Sequence, residues 1–246
     1  MCGGYALAEP TEVLEDVFNV DLVGENLPGP SWNIRPTNQV PIVVDTVDAS
    51  GDQRRRLESA RWSLIPSWVK GEPPKFSTFN ARSEDAASKA SWRDSVKTKR
   101  CLVPASGYYE WVVEDGVKVP HYIHSSETLA FAGLYSWWRA AETDPWMLTA
   151  TILTMSTVPE LAAIHDRNPV PLPQDFWGTW LDPQEMGTQQ LVDLAVAQAR
   201  PVAAGLSEYR VNPIKGNGPE LITPAVTAKK PPLSWLSPNF RVRPVV

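Results

Sequence analysis

Apolar and polar positions along the chain change period often, and the changes mark short elements rather than long ones. Val13, Leu14, Val17 and Phe18 share one face of a helical projection, which predicts a helix over 12–19 capped by Thr11. A Pro/Gly-rich loop follows over 28–36. The β-branched run at 40–47 predicts a strand, 61–65 a second strand ended by Pro66, and 70–79 a loop. Alanine content and a polar face predict a helix over 84–96. The densest β signal comes next. A short strand at 101–103 precedes a strand at 108–113, which turns at Glu114-Asp115-Gly116 into 118–124 as a hairpin. Strands at 129–138 and 146–155 follow. Helices at 159–164, 173–180 and 183–199 each carry proline in the first turn, and a last strand covers 206–212. No repeat or composition break interrupts this order. The pattern predicts one α+β domain over residues 1–226, its strands mixed among peripheral short helices, and a proline-rich C-terminal tail over 227–246.

Composition narrows the function classes. The 246 residues are 43% hydrophobic and 21% charged, enough for a sizeable core. No stretch nears the roughly 20 apolar residues of a membrane helix. The first 18 residues lack the basic-then-apolar order of a secretory signal, so the expectation is a cytoplasmic protein with no membrane partner. Two cysteines do not make a disulfide framework and fit a reducing compartment. A net charge of −5 argues against a globally basic nucleic-acid binder but leaves room for a locally basic groove. Arg54-Arg55-Arg56 and Lys97-Thr98-Lys99-Arg100 read as solvated surface charge. The 24 prolines imply many fixed turns, and 11 tryptophans exceed what a core needs, which suggests surfaces for stacking. A monomer is the default expectation.

Four places hold candidate chemistry. If Met1 is removed, Cys2 carries an amine and a thiol on one residue, with reference pKa values of about 8 and about 8.5. Such an aminothiol can condense with an aldehyde to an imine and close a thiazolidine ring, and an N-terminal nucleophile can use its own amine as base. Gly3-Gly4 lets backbone approach a ligand closely. In Phe79-Asn80-Ala81-Arg82-Ser83-Glu84, Asn80 offers a donor and an acceptor and Arg82 a bidentate phosphate grip; for an isolated Asn, capping the helix is the commoner role. Glu110, inside Gly107-Tyr108-Tyr109-Glu110-Trp111, falls in an aromatic strand where burial raises a carboxyl pKa, with an ion pair beneath the sheet as the structural alternative. His165, in Ile164-His165-Asp166-Arg167-Asn168-Pro169, is one of three histidines and a natural acid/base. His121 and His124 lack a third ligand at sensible spacing, so no metal site and no cofactor are expected. Trp32, Trp68 and Trp111 lie in or beside loops near Pro36 and Pro66, where aromatic faces and proline edges suit stacking on unpaired bases.

In order along the chain, Met1-Cys2-Gly3, Trp32-Asn33-Ile34-Arg35-Pro36, Arg61 to Trp68, Phe79 to Glu84, Arg100 to Pro104 with Gly107 to Trp111, and Ile164 to Arg167 together resemble the SOS response-associated peptidase (SRAP) family. The resemblance implies a barrel-like, mostly antiparallel β core with a groove for single-stranded DNA. It implies self-removal of Met1 by a thiol autopeptidase activity, and covalent capture of abasic sites as a thiazolidine on Cys2, in a DNA-damage role. By position it makes Cys2, Asn80, Glu110 and His165 catalytic, and Arg82, Pro36, Trp68, Trp111 and Asn33 DNA-binding. Two positions depart from the family pattern. Gly4 stands where an arginine is usual, so an expected phosphate contact is missing, and Asn168 replaces a methionine.

On this reading His165 acts as general acid on the sugar ring oxygen, Glu110 takes a proton from Cys2, and Asn80 holds the reactants in line. An imine-bound abasic site could also undergo β-elimination, an associated lyase activity. Cys2 by itself is equally compatible with an N-terminal-nucleophile glutamine amidotransferase, and the aromatics with a non-catalytic single-stranded DNA binder.

Overall fold

The computed structural model describes residues 3–225; Cys2 and the expected tail over 227–246 lie outside the described residues. In chain order the elements are β1 (Tyr5–Leu7), α1 (Thr11–Phe18), β2 (Leu22–Val23), β3 (Ser31–Ile34), β4 (Gln39–Val47), β5 (Gln53–Trp62), β6 (Asn80–Arg82), α2 (Arg93–Thr98), β7 (Arg100–Glu114), β8 (Val117–Trp138), β9 (Met147–Ser156), β10 (Arg167–Pro169), α3 (Trp177–Leu181), α4 (Gln189–Ala204) and β11 (Ser207–Arg210). Strands dominate, and the chain is a mixed α+β domain.

The path of pairing β8–β9–β5–β4–β7 returns to β8, so five strands close into a ring rather than a regular barrel. All its pairs are antiparallel except β5 with β9. Closure removes most free edges, which makes sense of a 22-residue β8 that would otherwise be a long exposed ribbon. Its first half pairs Gly107 to Glu114 and its second half pairs Arg100 to Ala105, with a bulge between Ala105 and Gly107 marking the bend. The hairpin joining β7 to β8 is as expected. Asp115 and Gly116 both have positive φ, 49° and 80°, the two-residue turn whose twist matches the flanking strands.

Large side chains fill the ring. Tyr5 meets the edge of Trp62 at 5.1 Å, Trp62 meets Phe79 at 5.7 Å, and Phe18 of α1 stacks on Trp177 of α3 at 4.7 Å. Arg100 is buried at 3% exposure and donates to the carbonyls of Val96, Lys97, Trp180, Asp182 and Glu185. A cation at the carboxyl ends of α2 and α3 thus fastens both helices to the start of β7.

Several boundaries differ from the expectation. Thr11 is the first helical residue rather than the cap, which Pro10 occupies. The predicted helix over 84–96 is a 3-10 turn at Ser83–Asp85 and a separate α2. The arginines at 54–56 belong to β5, where Arg55 pairs with buried Asp45 at 2.8 Å. Residues 101–113 form one strand that runs through Pro104, and 118–138 likewise belong to a single β8. Pro183 precedes α4 instead of opening it; Thr188 caps that helix by accepting from the Leu191 N–H. Strands β1, β2, β3, β6 and β10 have no counterpart in the expectation. Among the described residues no helix is long and apolar enough to cross a membrane.

Candidate active site

The strand that holds Asn80 and Arg82 and the strand that follows His165 both meet β9. β9 is flanked by β6 and β10: Thr154 lies opposite Arg82 on one side and Pro169 on the other. Asn80 therefore opens a strand on the opposite side of β9 from the one that follows His165. The approach to Asn80 is set from β5. The Trp62 indole N–H donates to the Phe79 carbonyl at 2.8 Å, the Ser63 and Thr78 hydroxyls bond at 2.8 Å, and Leu64 N–H reaches the Thr78 carbonyl. These bonds explain why the Arg61 to Leu64 and Phe79 to Glu84 segments occur together.

Glu110 projects from β7 and is 4% exposed. Burial pushes its carboxyl up to about 7 from an ordinary value of 4.5. Its Oε2 lies 4.0 Å from His165 Nε2. His165 Nδ1 accepts the Arg167 backbone N–H at 3.0 Å, which leaves the proton of the neutral ring on Nε2, facing Glu110. Asp166 Oδ1, 2.7 Å from the same Nδ1, favours the charged ring, but burial outweighs it and the imidazole pKa falls below its usual 6.5. Near neutral pH the pair is a carboxyl close to half ionisation beside a neutral imidazole. The ion pair foreseen as the alternative for Glu110 is thus, near neutral pH, a 4.0 Å contact with a neutral ring. Tyr108, Ile123, Ile164 and Asn168 line the narrow cleft around the two groups. Asn168 is 2% exposed; its amide donates to the Pro169 carbonyl while Oδ1 has no partner among the described residues.

The bond that locks these segments together is one that sequence reasoning did not single out. Arg167 meets Glu84 through two parallel contacts of 2.9 Å each and also donates to the Thr154 carbonyl at 2.6 Å. Glu84 follows β6 and Arg167 begins β10, so one fork joins the Asn80 segment to the His165 segment across β9. The hydrogen bonds from Arg167 hold the Glu84 carboxyl below its usual range. Both residues stand inside the recognised motifs, but only their contact assigns them work.

Arg82 and Trp68 are exposed, Trp68 with its indole N–H on the Ala90 carbonyl at 3.3 Å. Trp111 and Pro36 are half-buried. Asn33 is fully engaged: its amide donates to the Gly216 carbonyl at 2.8 Å and its Oδ1 accepts from Arg35 Nε at 2.7 Å. The Tyr109 hydroxyl donates to the Trp32 carbonyl and fixes this loop over β7. Tyr109 N–H also binds the Gly4 carbonyl at 2.9 Å, so the first described residues run alongside the Tyr109-Glu110 step. His121 sits between the carboxylates of Glu114 and Glu208 at 3.1 and 2.7 Å. Cys101 is fully buried and burial raises its thiol far above the ordinary range.

Fold and site define a sheet-ring α+β protein that sets a carboxyl of raised pKa beside an imidazole, one residue from the strand contact with Gly4. The chain belongs to the SOS response associated peptidase (SRAP) family, whose model matches residues 1–215. It is 35% identical over 227 residues to the abasic site processing protein YoqW of Bacillus subtilis, covering 90% of this chain and 99% of that protein. It is 29% identical over 245 residues to the chicken (Gallus gallus) abasic site processing protein HMCES, covering 84% and 73%. A crystal structure of a Bacteroides thetaiotaomicron protein superposes with a TM-score of 0.75 at 22% identity, over 92% of this chain and all of the other, and shares the fold.

Proposed function

We propose that this protein processes abasic sites in single-stranded DNA by trapping the ring-opened sugar aldehyde on Cys2, once Met1 has been removed. The observation that carries this reading is the buried Glu110 carboxyl, raised to about 7, set 4.0 Å from His165 and one residue from the Tyr109 N–H that binds Gly4. A carboxyl half-ionised near neutral pH can take a proton from an amine or thiol and return it. Cys101 has no part in this, because its thiol is sealed in the core, which leaves Cys2 as the chain's available thiol. The names of the related proteins from Bacillus subtilis and chicken support the substrate.

In the proposed reaction the imidazolium fraction of His165 protonates the ring oxygen while the C1′ hydroxyl releases its proton to water, and the abasic sugar opens to its aldehyde. Glu110 accepts a proton from the Cys2 ammonium, and the freed amine attacks C1′. The carbinolamine loses water, its hydroxyl leaving with a proton returned by Glu110 while the nitrogen gives its own proton back to the Glu110 carboxylate, and an imine forms. The Cys2 thiol then adds across the imine carbon, its proton passing to the ring nitrogen, and the thiazolidine is complete. Asn80 positions the reactants, and Arg82, Trp68, Trp111 and Pro36 line the strand's path. β-Elimination from the imine would give the strand cleavage of a lyase, and hydrolytic release of Met1 the autopeptidase step.

The test is incubation of the full-length protein with a single-stranded oligonucleotide bearing one abasic site, resolved on a denaturing gel. The parent is expected to form a heat-stable adduct of protein plus DNA, and Cys2→Ala none. An equally strong adduct with Cys2→Ala would sink the proposal, as would intact-mass spectra in which the active protein retains Met1.

A further inference from the structure

The expected arginine after Met-Cys-Gly is absent, yet the space it would leave is not empty. A Cβ built on Gly4 would lie 2.7 Å from Arg35 Nη1 and 3.1 Å from its Cζ, so the guanidinium rests directly on the Gly4 backbone. A side chain at position 4 and Arg35 in this pose exclude each other. Arg35 is also held with care. Its Nε donates to Asn33 Oδ1 at 2.7 Å, its Nη1 reaches the Gly3 carbonyl at 3.4 Å, and its Cζ sits 5.3 Å from the centre of the Trp111 ring. Asn33 is itself pinned to Gly216.

Among the described residues no anion faces Arg35. Arg54, Arg55, Arg56, Arg167 and Arg210 each face a carboxylate at 2.7 to 3.3 Å. Arg35 has no carboxylate partner among the described residues, and its Nη2 donates to none of them. A pre-ordered guanidinium with no carboxylate on it among the described residues, over an indole and beside Gly3 and Gly4, is a fork suited to a phosphate.

We infer that Arg35 is a DNA-binding residue, gripping a backbone phosphate next to the trapped sugar from the room that Gly4 leaves. Gly4 and Arg35 thus form an exchange: the contact expected from position 4 is supplied from position 35. This inference rests on the proposed DNA function.

The experiment measures binding of a fluorescent, intact single strand by anisotropy over a series of salt concentrations, with the full chain. A phosphate contact contributes about −0.7 to the slope of log K against log salt for single strands. Arg35→Gln is expected to flatten the slope by about that amount and weaken binding at low salt by about fivefold or more. Arg35→Lys, which keeps the charge, retains the slope and shows that the loss is not one of folding. In the Arg35→Ala background the added substitution Gly4→Arg restores the slope, since the space is vacated. A parent that binds and forms the adduct, while Arg35→Gln keeps the parental slope and affinity, overturns the inference alone. A parent that neither binds single strands nor forms the adduct overturns the DNA reading and this inference with it.

Discussion

At the scale of single residues the site works through where protons rest. Burial holds Glu110 protonated to about pH 7, while in the unfolded chain it ionises near 4.5. A folded-state pKa raised in this way contributes stability in full below the unfolded value and loses it as pH rises through about 7. Glu110→Gln keeps the shape without the ionisation. It is therefore expected to gain on the parent as pH rises, by on the order of 2–3 kcal/mol at pH 8, and to show little gain at pH 4.5. Urea midpoints at the two pH values measure this; equal gaps at both would mean that the carboxyl is not raised. The same substitution should slow adduct formation roughly a hundredfold or more and abolish a rise in rate with pH centred near 7. Glu110 and His165 stood out in the sequence because each was polar where the neighbouring pattern was apolar. The seat of Arg35 on Gly4 did not, since it exists only when residues more than thirty apart in the chain are folded together.

At the scale of elements the site is an assembly of very short strands. β1, β6 and β10 have three residues each, too few to show an alternating pattern, and they exist because β7 and β9 present edges for them to complete. That is why they were not legible, whereas the β7–β8 hairpin was, through Asp115-Gly116. The run over 84–96 has helical composition but is broken after Ser83–Asp85, where Glu84 is drawn to Arg167 instead of to a solvated helix face. The fork between these two residues carries its own prediction. Its hydrogen bonds lower the Glu84 pKa, so its stabilisation is present above about 4.5 and is lost as pH falls through the lower folded value. Because Glu84 is half exposed, Glu84→Gln should cost only about 1 kcal/mol at pH 7, and less as the solution is acidified. The effect on adduct formation should be larger, about tenfold, because the Asn80 and His165 segments lose their common tie. Glu84→Asp, keeping the charge, should recover part of the rate; recovery of stability without rate would confine the fork to a structural role.

At the scale of the whole molecule, the ring is closed by β7 pairing with both β4 and β8, and the helices are fastened where β7 starts. Arg100 is the fastening. In the sequence it belonged to a basic run that read as solvated charge, yet it is buried and spends its donors on five carbonyls at the ends of α2 and α3 and the turn beyond. The cost of taking a guanidinium out of water is offset only while those acceptors are in place, and removing it strands the acceptors in turn. Arg100→Met, similar in length and apolar, is expected to destabilise the protein by about 3 kcal/mol or more. For a chain of this size that corresponds to a fall in Tm of roughly 6–12 °C. Because β7 also carries Glu110, the loss should appear as one cooperative transition followed by both tryptophan fluorescence and far-ultraviolet circular dichroism. Two separate transitions, with the helices melting before the sheet, would show that Arg100 holds the helices alone and that the ring stands without them.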